Sequence, residues 1–101
     1  MRVVIVLKEA AEDLEKARDF YDNSEPGAGD YCVDSLVADI QTLSRLHGVH
    51  AVHFRCFRML ASRFPFGIYY QDSNDTTGVV AVLDLRRDPG WIRSELSGRT
   101  G

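Results

Sequence analysis

The hydrophobic pattern of this chain changes period twice, and the order of those changes limits the folds open to it. Val3 to Leu7 is an unbroken aliphatic and β-branched run of strand length, apolar on both sides, which predicts a strand inside a sheet. From Glu9 the period becomes helical. Ala10, Leu14, Ala17 and Tyr21 recur at three- and four-residue steps, and Glu9, Glu12 and Asp13 open the helix where its dipole favours negative charge. Ser24-Glu25-Pro26-Gly27 interrupts it near Asn23, and Pro26 suits the first position of a second helix. Val33, Leu36, Val37, Ile40 and Leu43 form the stripe of that helix, so the two helices read as an antiparallel hairpin covering a sheet.

His47 to Phe54 has no period, contains Gly48, and reads as a loop leading toward a strand. Strand chemistry then returns. Segments 55–63, 66–71 and 79–85 are β-rich and joined by Phe64-Pro65 and by the polar stretch Asp72 to Gly78, which predicts a three-stranded antiparallel meander with its last strand central. Asp88-Pro89 supplies an N-cap and a first helical residue for a short C-terminal helix with Ile92 and Leu96 on its apolar side. The expected fold class is α+β: one domain over residues 1–97, with 98–101 as a flexible tail.

The 101 residues carry a net charge of −3. That balance hides two unlike parts: residues 1–42 have four basic and ten acidic side chains (−6), residues 43–101 eight basic and five acidic (+3). Every basic residue of the second part is an arginine, the side chain that grips carboxylates and phosphates with a fork of donors. Bulk acidity argues against nucleic-acid binding by charge alone, and no direct sequence-specific recognition is expected. No apolar run approaches the roughly 18 residues that cross a bilayer, and Cys32 and Cys56 are too few for a disulfide framework. A cytoplasmic protein with buried thiols is the expectation.

Among candidate functional residues, Arg58, Arg63, Arg86 and Arg87 stand on or beside the predicted strands, and Trp91 follows a Pro-Gly step. They read either as a patch at the open face of the sheet, or as solvated residues paired with Asp84 and Asp88 and a Trp91 lid on the sheet edge. His47, His50 and His53 repeat every third residue, but the segment has a glycine and no carboxylate beside them and fits no zinc spacing, so no metal is expected. One of them is open to acid–base work near neutrality, or the three are a polar loop with one ring packed on the sheet. Tyr69, Tyr70, Phe64 and Phe66 are open to base stacking, although alternation along a strand sends half of them into the core. No nucleotide-binding glycine loop, Ser-His-Asp order or cysteine nucleophile stands out, and no cofactor is expected.

The order strand, helix, helix and three strands, with Phe20-Tyr21 closing helix one, resembles the RelE/ParE toxins of bacterial type II toxin–antitoxin modules. Arg58-Met59-Leu60-Ala61-Ser62-Arg63-Phe64-Pro65-Phe66-Gly67-Ile68-Tyr69-Tyr70 and Val82-Leu83-Asp84-Leu85-Arg86-Arg87-Asp88-Pro89 look like that family's arginine-bearing strand, Tyr-ending strand and basic exit from the last strand. The resemblance implies a growth-inhibiting, plasmid-stabilising protein held by a cognate antitoxin whose segment folds on binding. It implies as target either DNA gyrase, blocked by binding, or the ribosome, where relatives similar to RelE cleave messenger RNA. A rearranged nuclease site would be drawn from His50, His53, Arg58 and Arg87. Gly67 stands where an arginine is expected, the strand pair offers no lysine, and Trp91 replaces a tyrosine. Those departures favour a ParE-like binding poison that meets its target or antitoxin through Arg58, Arg63, Arg86, Arg87 and Trp91. A non-toxic scaffold is the third reading, and an exposed hairpin stripe would need a homodimer or an antitoxin helix to cover it.

Overall fold

The structure, a computed structural model, describes residues 2–100. Its elements run β1 (Val3–Val6), α1 (Lys8–Ser24), α2 (Ala28–Gln41), a 3-10 turn at Thr42–Ser44, β2 (Ala51–His53), β3 (Cys56–Leu60), β4 (Phe66–Ser73), β5 (Thr76–Asp84) and α3 (Pro89–Thr100). The strands form one sheet in the order β1-β5-β4-β3-β2, with β1 parallel to β5 and every other neighbour antiparallel. This is the expected α+β arrangement of strand, helical pair, meander and terminal helix.

Alternation along the strands divides the core into two layers. Leu36, Ile40 and Leu43 of the hairpin side pack with Met59, Phe66, Ile68, Tyr70, Val79 and Val82. Cys56, Tyr69, Val80, Ala81 and Leu83 face the other way, against Ile92 and Leu96 of α3. Burying each large aliphatic side chain contributes roughly 1.5–3 kcal/mol. The period slips once: Tyr69 pairs with Ala81 but Tyr70 with Val79, leaving Val80 as a bulge residue. That slip is what lets Val79 and Val82, three apart, enter the same layer.

Four expectations need correction. β1 is an edge strand and not an interior one: it pairs only with β5, and Val3 and Ile5 remain 57% and 44% exposed while Val4 packs toward the hairpin. An apolar run looks the same whether one face or both are covered. The meander has four strands, because Ala51–His53 pairs with β3 inside the segment read as a loop. The second helix starts at Ala28, after Gly27 in the left-handed region (φ 92°), and not at Pro26. Finally, α3 runs to Thr100, so 98–100 are helical where a tail was expected; Gly101 lies outside the described residues. β5 does lie between two strands as expected, and the polar stretch before it narrows to the two-residue turn Asn74-Asp75, with Asn74 at φ 52°.

Candidate functional site

On the α3 face, the end of the sheet carries a depression of about 240 Å³ lined by His53, Phe54, Arg58, Tyr69, Arg87 and Ile92, among others. Its geometry follows from strand register. Arg58 on β3 stands directly opposite Tyr69 on β4, and both point to the α3 side. Tyr69 is buried, so burial pushes its phenol up from the ordinary value, while the neighbouring Arg58 guanidinium opposes that rise. Arg87 arrives from the turn after β5 and lies over the Trp91 ring, its guanidinium carbon 3.7 Å from the ring centre. Asp88 caps α3 as expected, its carboxylate accepting the Trp91 N–H at 3.1 Å, and so fixes where Trp91 stands.

Two backbone features shape the depression. A Cβ at Gly67 would lie 3.0 Å from both Leu85 and Tyr69 and 3.3 Å from Arg58. The floor is already filled, which accounts for glycine where the resemblance implied an arginine. Phe54 and Arg55, the two residues joining β2 to β3, both have positive φ (53° and 71°), the geometry of a tight hairpin turn that glycine and asparagine normally occupy. The strained turn displays Phe54 at the rim, where the Arg93 guanidinium approaches its ring at 5.3 Å.

Of the residues singled out in sequence, His53, Arg58 and Arg87 thus line one depression, with Trp91 beside it. The others go elsewhere. His50 Nδ1 contacts the Tyr70 hydroxyl at 2.5 Å on the hairpin side, and the same hydroxyl accepts the Gly48 N–H at 2.9 Å. His47 meets Asp72 at 3.2 Å. Among the described residues, no three His, Cys, Asp or Glu side chains gather as metal ligands would. Arg63 donates to the Tyr31 hydroxyl at 2.9 Å, next to α2. Arg86 is tied back to Asp84 at 2.7 Å, the pairing read as one option from sequence. Arg86 and Arg87, adjacent in the chain, therefore differ in role: one carries its own carboxylate and the other forms no ion pair among the described residues.

A second constellation escaped the sequence reading. β1 accompanies β5 only as far as Val79, which leaves the outer edge of β5 open beyond that point. Side chains cover it. Asp13 of α1 accepts the Val82 N–H at 2.9 Å, while Arg99 of α3 donates to the Val80 carbonyl at 3.2 Å and forks onto the Asp13 carboxylate at 2.5 and 3.0 Å. Both side chains are nearly buried, at 5% and 6% exposure, and Glu95 adds a third contact at 3.0 Å. Its hydrogen bonds to Asp13 lead the contacts that hold Arg99 charged more firmly than a free arginine. The signal was present: Asp13 falls between Ala10 and Ala17 on the apolar stripe of α1, where a carboxylate needs a partner.

A family-model match over residues 4–89, on a chain whose mixed sheet carries a helical hairpin on one face and a terminal helix on the other, makes this protein a member of the RelE/ParE superfamily. A chain of the chromosomal ParDE toxin–antitoxin system from P. aeruginosa has the same fold, with a TM-score of 0.73 at 17% identity over 81% of this chain and 94% of that one. The family model of the ParE toxin of the type II toxin–antitoxin system parDE matches residues 4–89, and the chain belongs to that family. No curated protein sequence matches it.

Proposed function

We propose that this protein is a growth-inhibiting toxin that acts by binding an essential cellular target, DNA gyrase being the first candidate, and that a cognate antitoxin neutralises it. The observation that carries a binding poison is the division of the titratable groups: His50 is engaged by Tyr70 on the hairpin side, while Arg58 and Arg87 lie on the α3 side with Tyr69 and His53. Two cations beside a buried phenol make an anion-gripping surface. Membership of the ParE family and the ParDE likeness support the same reading.

The test is induction in a bacterial host with pulse incorporation of DNA and protein precursors, followed by a supercoiling assay with purified gyrase. Early loss of DNA synthesis and graded weakening by Arg58→Ala and Arg87→Ala are expected. Continued growth at high protein levels would instead mark a non-toxic interaction partner.

A second reading, a ribosome-dependent endoribonuclease, is favoured by one observation: His53, Arg58, Tyr69 and Arg87 share one depression. It requires new transcript ends inside codons after induction, abolished by His53→Ala. Intact transcripts in growth-arrested cells leave the binding reading standing.

A further inference from the structure

The segment that leads from the 3-10 turn into β2 is built inside out. Its polar groups turn inward: His47 meets Asp72 at 3.2 Å, the Gly48 N–H is accepted by the Tyr70 hydroxyl at 2.9 Å, and His50 Nδ1 contacts the same hydroxyl at 2.5 Å. Its aliphatic side chains turn outward, with Leu46, Val49 and Val52 at 54%, 72% and 64% exposure. Single surface aliphatics are ordinary. Three along one short segment, held out by tethers at the polar positions between them, make a fixed apolar surface.

β2 is also an open edge, since it pairs with β3 alone. The two-residue turn Phe54-Arg55 makes His53 and Cys56 a closing pair whose N–H and C=O groups point at each other, so alternation turns those of Val52 to the outside. Edges are normally guarded against strand addition by charge, proline or a bulge. Residues 46–54 contain no proline and no Asp, Glu, Lys or Arg, the longest uncharged run in the sequence, and β2 has no bulge. The next longest uncharged runs, 64–71 and 76–83, lead into or form the inner strands β4 and β5.

We infer that β2 is a self-association edge, on which the β2 strand of a second copy of this chain pairs antiparallel about a twofold axis beside Val52. Under that symmetry Val52 exchanges N–H and C=O with the second copy's Val52, and Ala51 faces the second copy's His53. Arg55, at the end of the uncharged run, faces Val49 and not another Arg55; the two guanidinium-bearing positions lie roughly 20 Å apart along the strand. A second copy fits this edge better than a charged partner does, because the edge offers no charge to pair with and a twofold contact uses each outward aliphatic twice. The opposite edge lacks that property: Arg2 and Lys8 flank β1, and pairing it about its centre sets Arg2 of one copy beside Lys8 of the other. Ala51 stands opposite Arg58, and His53 lines the depression with Arg58 and Tyr69, so the pairing brings a second His53 alongside the Arg58 row and opens both depressions on one face of a continuous sheet. The association does not rest on the toxin reading.

Sedimentation equilibrium on the whole protein tests it. The mass should be 11.4 kDa at about 1 μM and approach twice that near 100 μM, a dissociation constant on the order of 10 μM for a small contact. Val52→Lys, which sets two like charges at the axis, should weaken the dimer at least about tenfold, while Ile5→Lys on β1 should leave it unchanged. Raising salt from about 0.1 to 1 M should not weaken it, because no charge pair forms. Val52→Cys should cross-link to its copy on mild oxidation, its Cα lying about 5.5 Å from its twin, and Val49→Cys should not. Cys32 and Cys56 are buried and do not compete. The cross-link decides the matter where the lysine variant fails to fold. A mass of 11.4 kDa up to about 1 mM, a dimer untouched by Val52→Lys, a dimer lost in Ile5→Lys or with salt, or cross-linking at position 49 in place of 52 would overturn the inference.

Discussion

At the scale of single residues, the Asp13–Arg99 pair and the Phe54-Arg55 turn act in opposite directions on stability. Each of the paired charges is out of water and depends on the other, so removing one strands a buried charge. Arg99→Met is expected to cost about 3–5 kcal/mol in urea unfolding, and adding Asp13→Leu to it should recover part of that loss. An unchanged unfolding midpoint in Arg99→Met would mean the guanidinium contributes nothing to holding α3. The turn is the converse case. Left-handed backbone costs about 1–2 kcal/mol per non-glycine residue, so replacing Phe54-Arg55 by Asn-Gly should raise stability by about that amount. The same strain explains why β2 was not legible: the sequence lacks the Asn-Gly or Asp-Gly signal that marks a two-residue hairpin, and Phe-Arg in that place reads as a loop.

Among elements, the hairpin shows the closest approach. Gly29 of α2 sits where a Cβ would fall 2.3 Å from the Arg18 carbonyl oxygen and 2.6 Å from the Asp22 carboxylate, so backbone meets backbone there. The Gly29 N–H donates to Asp22 at 2.8 Å, and Arg18 pairs with Asp30 nearby. Gly29→Ala should therefore push the helices apart and cost about 1–3 kcal/mol, measured by chemical denaturation. Refolding at full wild-type stability would show that the hairpin can part without loss. The hairpin stripe was readable because Leu36, Ile40 and Leu43 obey the helical period through to the core. Which glycine the packing demanded was not readable, because close approach depends on where α1 lies.

For the molecule as a whole, the acid limb of stability is set by carboxylates that tie distant parts together. Burial works against the charge on Asp72, but hydrogen bonds from Thr77 and His47 and the charge of Arg2 outweigh it and hold its carboxyl below the ordinary range. The Arg86 hydrogen bond leads the contacts that lower Asp84, with burial opposing. A folded value below the unfolded one, about 3.9 for Asp, means a contribution present above that pH and lost as pH falls through the folded values. Urea midpoints should thus hold above about pH 5 and fall below about pH 4, with a shallower fall in Asp72→Asn. An identical acid limb in that variant would remove Asp72 from the account. By itself the sequence determined the α+β order, the hairpin stripe and the concentration of arginine in residues 43–101, because helical and strand periods and composition are local properties. Tertiary structure alone decided that β1 is an edge, that His50 and His53 part to opposite faces, that Arg58 and Arg87 meet beside Tyr69, and that Asp13 finds Arg99 across 86 positions. Strand register and helix docking make those contacts, and neither is written in any window of neighbouring residues.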